Sequence, residues 1–373
     1  MNMQEVFPYI SKAEWLAQIT KDLKGKDPVT LNWALTERLS VSPLVSAEDF
    51  AQLPTFLTDA PNEWDICELV TVQDPAAANA QALEALRLGA QSIRFHLDTP
   101  PDAASLSTLL QDIYIDFISL HFEGPGVSSN PGGILALLAL VAKERNIPTA
   151  NLRGSLGYAP DVQATFTDWR YLGELISFAQ ISFPGFQVIQ LAEESSTDPE
   201  QGLAILLQRS QLYLKNLTER GCSTEAAAQA IHFSIAIGPL YFVEIARIRA
   251  FKLLWLNLLQ GWGLPRKYPV VSAVFAPAVY SDDIYTNMIK ATTMAMSAAL
   301  GGATTITVRP YDEGRENLSA HSGSFARRIA RNVQHLLKME SGFDQVSDPA
   351  AGSYYLEHLT AQIGTTAWEL FKG

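Results

Sequence analysis

Residues 270–310 read VVSAVFAPAVYSDDIYTNMIKATTMAMSAALGGATTITVRP. Two short apolar runs rich in β-branched residues, 270–276 and 304–310, flank a stretch with helical spacing, 283–300, that stops at Gly301 and Gly302. Runs of the first kind read as strands, the middle stretch as a helix, and glycine as its terminator. Two strands joined by a helix of this length lie parallel, linked by a right-handed crossover.

Working outward, the same unit recurs. The other strand-like runs are ICELVTV (66–72), SIRFHL (92–97), DFISLHF (116–122), PTANLR (148–153), FQVIQLA (186–192) and IHFSIAI (231–237). Helical spacing fills 75–89, 102–112, 132–145, 161–180, 199–220, 239–260 and 323–340. Eight strands alternating with eight helices predict a (β/α)8 TIM barrel. An open doubly wound sheet is the alternative, and the absence of G-x-G-x-x-G after the first strand weighs against it.

With 373 residues, 47% hydrophobic and 18% charged, the chain has ample material for a large core. A formal charge of −12 argues against nucleic acid or an anionic membrane as partner. Cys67 and Cys222 have no zinc-like spacing and give no disulfide framework, which points to the cytoplasm. The amino terminus, MNMQEVFPYISKAEW, has no secretory pattern, and no run of about 18 apolar residues suggests a membrane span.

The division expected is an amino-terminal helical arm, 1–62, and a barrel domain, 63–373, that ends in a helix. In the arm, Trp15, Leu16, Ile19 and Leu23 share one helical face. That face covers either the barrel's own floor or a second subunit. At the other end, DPAAGSYYLEHLT (348–360) offers Ser353 as helix N-cap and Glu357 in the first turn, where the dipole favours an acid.

Barrel chemistry belongs at the carboxyl ends of the strands, and there this sequence is sparse. No lysine or arginine lies between 270 and 285 to hold a phosphate. His96 with Asp98, and His121 with Glu123, are possible base pairs of the His-carboxylate type, with locally hydrogen-bonded histidines as the plainer reading. Arg153 suits an anion or a loop carboxylate. Glu193 and Glu194 are adjacent on an extended chain and point opposite ways, which disfavours a shared acid/base site. The loop GPGVSSNPGG (124–133) lacks the lysine of a P-loop and reads as a turn, and His232 reads as a core histidine.

The string D-P-x-x-G-S-Y-Y-x-E-x-L-T resembles the end of the barrel domain in methylmalonyl-CoA mutases. FARRIARNVQHLLKMESGFDQVSDPAAGSYYLEHLT (325–360), MIKATTMAMSAALGG (288–302) and FSIAIGPLYFVEIARIRAFKLLWLNLL (233–259) are similar to that family's last three helices in order. The likeness is strong from about 186 to 372 and colinear from 62 to 185. It implies a barrel threaded by coenzyme A, with adenosylcobalamin carried by a separate carboxyl-terminal domain and a radical interconversion of methylmalonyl-CoA and succinyl-CoA.

Carried over residue by residue, the catalytic groups are missing. The family's Tyr-His pair falls on Gln190 and Leu191, its active-site tyrosine on Leu69 behind Trp64 and Ile66, and a neighbouring arginine on Cys67. No arginine stands between 154 and 168, and no glutamine between 301 and 320, where catalytic chains place them. This pattern resembles the small, or beta, subunits of heterodimeric members, an impression that GSLGYAPD (154–161) and the arm reinforce. The resemblance implies a stabilising chain that binds no cofactor or metal itself and leaves adenosylcobalamin and turnover to a large catalytic subunit. No D-x-H-x-x-G cobalamin motif occurs, and no cobalamin-binding domain is expected within these residues. A self-sufficient acyl-CoA enzyme using His96, Arg153 or Glu193, and a coenzyme-A-binding homo-oligomer, are the rival readings.

Overall fold

The computed structural model describes residues 9–52, 61–160, 168–193, 198–319, 321 and 323–373. The arm contributes helix α1 (Lys12–Asp22) and a two-stranded antiparallel pair, β1 (Trp33–Ala34) and β2 (Ser40–Val41). From residue 65 the chain alternates: β3 (Asp65–Val72), α2 (Pro75–Arg87), β4 (Ser92–Leu97), α3 (Ala103–Leu109), β5 (Ser119–Glu123), α4 (Pro125–Ser129), α5 (Pro131–Glu144), β6 (Arg153–Leu156) and α6 (Trp169–Ser182). Then follow β7 (Gly185–Gln187), β8 (Ile189–Glu193), α7 (Pro199–Thr218), α8 (Thr224–Gln229), β9 (Ile231–Ile237), α9 (Tyr241–Gly261), β10 (Val271–Phe275), α10 (Ile284–Gly301), β11 (Thr305–Thr307), α11 (Gly323–Met339) and α12 (Tyr354–Lys372).

All neighbours in the large sheet are parallel, in the order β7-β6-β5-β4-β3-β11-β10-β9-β8. The two ends of that order, β7 and β8, are halves of one strand broken at Val188, so the sheet closes on itself. The Gln190 amide donating to the Tyr158 carbonyl at 2.9 Å helps seal the joint. This is the eight-position α/β barrel that the alternation predicts.

Strand four differs from expectation. PTANLR does not form it: Pro148 opens a 3-10 turn over Thr149–Asn151, and pairing starts at Arg153. Gly154 has φ +155°, and a Cβ there would lie 1.7 Å from the Leu120 carbonyl oxygen on the adjacent strand. Gly154→Ala is therefore expected to cost at least about 2 kcal/mol, read as a lower denaturation midpoint. The loop at 124–133 also holds more structure than a turn, because α4 and the start of α5 lie within it.

The outward strand faces are apolar and sealed by helices. Ile93, Phe95, Leu97, Leu120, Phe122, Phe233 and Ile235 are all buried. Phe233 meets Phe251 and Trp255 of α9 at ring distances of 4.6 and 5.0 Å. Each such side chain is worth about 1.5–3 kcal/mol of burial. α9 is covered on its outer side as well, because α12 packs against it. Arg249 of α9 is consequently buried, its Nη1 on Asp348 and its Nη2 2.7 Å from Glu357 Oε1. Glu357 is thus an arginine partner as well as a first-turn acid.

The arm does not close the floor, meaning the amino ends of the strands. A cavity of about 1080 Å³ opens there between Trp64, Gln91, His121, Arg153, His335 and Lys338, and among the described residues none before Glu63 lines it. The arm instead reaches the barrel at Thr36, whose hydroxyl donates to Glu200 Oε1 at 2.6 Å, and at Phe50, whose ring lies 6.0 Å from Tyr354. α1 has a Ser11–Glu14 capping box and buries no residue. Trp15 is 37% exposed, and Tyr9, Ile10, Val29, Leu31 and Trp33 are exposed beside it in the chain.

Candidate functional site

Ordinary barrel interiors are filled by branched apolar side chains. This one is polar. In-register neighbours share a face of the sheet, and the inward set reads Cys67, Ser92 and Thr307 in one layer, then Leu69, Arg94, His121 and Ser155 in the next. On the far wall Ser234 and Ser272 align with Thr305. Arg94 and His121 are in-register neighbours on strands two and three, while His232 faces inward from strand six on the other side of the ring.

Three contacts join neighbouring strands on the inner wall. Arg94 Nη1 donates to Glu123 Oε2 at 2.9 Å, and His121 Nδ1 lies 2.8 Å from Ser155 Oγ. His232 Nε2 lies 3.3 Å from Gln190 Oε1. Burial, reinforced by the Arg94 charge, holds both imidazoles uncharged: His121 falls well below its usual value and His232 falls to about 3. Burial raises the Cys67 thiol, against an opposing pull from Arg94.

The expected site residues fall in several places. His96 does sit at a strand's carboxyl end, with Nε2 3.4 Å from Asp98 and Nδ1 3.6 Å from Glu123. His121 lies inside its strand, away from the mouth, and only Glu123 reaches the end. Arg153 is at the floor, at the amino end of its strand, where Nη2 donates to the Phe117 carbonyl at 3.3 Å. His232 is the buried histidine expected, although it faces the axis and its Nδ1 has no partner.

Glu193 is buried against Arg247 at 2.7 and 2.8 Å, and Arg247 also holds Glu244. Burial raises Glu193 to about 6, Arg247 opposing. That value suits proton transfer, but both oxygens are spent on the guanidinium. Glu194 lies outside the described residues.

Of the positions where catalytic groups were expected to be replaced, Gln190 points to the axis while Leu191 is wholly buried on the helix side. Leu69 is half-buried and lines a cleft of about 530 Å³ with Thr71, Gln73, Arg309 and Arg327, between strands one and eight and α11. A mouth of leucine and glutamine without donors or cations is therefore not what the interior presents. Arg94 was missed, and its signal was the alternation in SIRFHL, whose odd members Ser92, Arg94 and His96 form a polar face.

Were adenosylcobalamin to be held by this chain, a donor side chain would have to present itself at the carboxyl ends. His96 is turned to two carboxylates, and His321 stacks on Phe325 at 4.3 Å, so neither histidine fits that role.

The methylmalonyl-CoA mutase family profile matches residues 101–373. The chain is 32% identical to the methylmalonyl-CoA mutase small subunit of Porphyromonas gingivalis, with 98% of this chain and 63% of that one covered. It is 28% identical to methylmalonyl-CoA mutase of Cereibacter sphaeroides, with 96% and 57% covered. Against the small subunit of Streptomyces virginiae it is 27% identical, with 100% and 64% covered. The chain thus spans about three-fifths of the length of these relatives. By fold, by the ordered helices that close the barrel and by similarity over nearly its whole length, the chain belongs to the methylmalonyl-CoA mutase family.

Proposed function

We propose that this chain is the small, non-catalytic subunit of a heterodimeric, cytoplasmic, adenosylcobalamin-dependent methylmalonyl-CoA mutase, and that it stabilises a large subunit which interconverts methylmalonyl-CoA and succinyl-CoA. One observation carries the reading: the inward-facing polar groups are spent on their neighbours on adjoining strands, as Arg94–Glu123, His121–Ser155 and His232–Gln190. Buried and close to Arg94, the imidazoles among them stay uncharged and are poor bases near neutrality in the empty barrel. Two relatives carry the words small subunit in their names, which supports a larger partner.

The arm supports the same reading. Tyr9, Ile10, Trp15, Val29, Leu31 and Trp33 are all exposed within this one short arm, a concentration of large apolar side chains that suits a partner's surface. Since Trp15 is exposed, whereas Leu16, Ile19 and Leu23 are half-buried within the chain, a Trp15→Asp variant should keep the melting temperature of the isolated chain. Its affinity for the large subunit should fall about tenfold or more, measured by surface-immobilised binding.

Expression with and without a large catalytic subunit tests the function. The expected result is co-purification, with mutase activity only in the presence of the large subunit and unaffected by Gln190→Ala. Activity of the isolated chain with added adenosylcobalamin would refute the reading. The coenzyme-A-binding homo-oligomer has one feature in its favour, the floor cavity with Arg153 and Lys338 on its walls, and would instead give ligand binding without a partner.

A further inference from the structure

We propose that the barrel axis holds a small oxyanion of carboxylate geometry, seated on the free edge of Arg94 between His121 and His232. Arg94 is 2% exposed and uses only Nη1, on Glu123, while Nε and Nη2 have no partner. Those two N–H groups form one edge of the guanidinium, pointing in parallel, and that edge is the one a planar oxyanion takes bidentately.

The surrounding groups are short of partners in the same way. His121 Nε2, His232 Nδ1, Ser92 Oγ and Thr307 Oγ1 are all buried and make no hydrogen bond of normal geometry, the two hydroxyls meeting only the Cys67 thiol, a weak acceptor that Arg94 also meets. Six orphaned polar atoms within one interior are more than a barrel leaves empty, since an unmet buried donor is costly. The guanidinium atoms can only donate, and the imidazoles and hydroxyls can each donate, so an acceptor of several hydrogen bonds satisfies the set. Access exists from the floor, where Ser119, His121 and Thr305 line the cavity of about 1080 Å³.

Charge makes binding pH-dependent. The groups facing the site are Cys67 and Asp65 on β3, Arg94 and His96 on β4, His121 and Glu123 on β5, and His232 on β9. Arg94 is offset by Glu123, so an added anion leaves one negative charge over. An imidazole that takes up a proton cancels it: burial first, and Arg94 second, keep both imidazoles uncharged in the empty site, and a bound anion supplies beside them the opposite charge that offsets both. Binding coupled to uptake of one proton strengthens up to tenfold for each unit by which pH falls.

Formate labelled with ¹³C is the probe, titrated into the chain and followed by NMR line width. The expected result is saturable binding to one site that tightens as pH falls from about 8 to about 6. Arg94→Lys should weaken it about tenfold or more, having lost the planar edge. His121→Asn and His232→Asn, made separately, should retain binding, with the pH dependence reduced in at least one. Should Arg94→Lys fail to fold, a crystal structure of the unaltered chain grown in formate decides between a planar anion on the Nε–Nη2 edge and ordered water alone. Linear, non-saturating broadening, pH-independent binding, or water alone on that edge would overturn the proposal.

Discussion

Arg249→Ala should remove about 3–5 kcal/mol of folding stability, a large part of the roughly 5–15 kcal/mol a domain ordinarily has. The guanidinium is 1% exposed and joins Asp348, before α12, to Glu357 in its first turn. Deleting it removes the one guanidinium shared by two buried carboxylates, leaving Asp348 with the Lys252 charge nearby and Glu357 with the Gly352 amide. Urea denaturation followed by far-UV circular dichroism reads the loss, and the chain should populate unfolded species in the absence of denaturant. Removing the whole charge cluster, as Arg249→Met with Asp348→Asn and Glu357→Gln, should recover part of it, because the cost lies in unpaired charge more than in missing attraction.

Acid should unfold this barrel, with His232 contributing on the order of 5 kcal/mol between pH 6.5 and 3. In the folded chain His232 resists protonation until pH falls to about 3, whereas an unfolded histidine takes its proton near 6.5. The folded state therefore binds fewer protons across that window. The stability this provides is complete above pH 6.5 and is lost progressively as pH falls. His121, also held low by burial and by Arg94, acts in the same direction. Glu193 acts in the opposite one: raised to about 6, it gains its proton sooner when folded, adding stability as pH drops from 6 towards 4.5. His232→Gln, which keeps a hydrogen-bonding side chain near Gln190, should flatten the slope of stability against pH below 6.5. An unchanged slope would mean that water already enters the axis.

The barrel was legible because helix and strand periods differ and recur eight times. IHFSIAI and SIRFHL give strand limits that the structure reproduces residue for residue. Strand four escaped because Pro148, a fair strand edge by propensity, opens a 3-10 turn, and the strand begins beside a glycine held by its neighbour's backbone.

The interior was less legible. A histidine in a strand looks alike whether it faces a helix or the axis, and only closure of the ring turns Ser92, Arg94, His121 and His232 towards one another. The arm is the converse case: its apolar face was plain in sequence, but that it leaves the floor uncovered depends on a contact between residues 164 positions apart, Thr36 and Glu200. Asp348 and Glu357 explain much of the DPAAGSYYLE string, yet their partner is Arg249, roughly a hundred positions earlier, and local capping rules have no means of finding it.

A crystal structure of this chain grown with a saturating acyl-CoA thioester examines most directly whether these paired inner-wall groups admit a substrate. The expected density has Arg94 on Glu123, His232 on Gln190 and no thioester carbon between them. An acyl arm running through the ring, with Arg94 swung aside to admit it, would contradict the account.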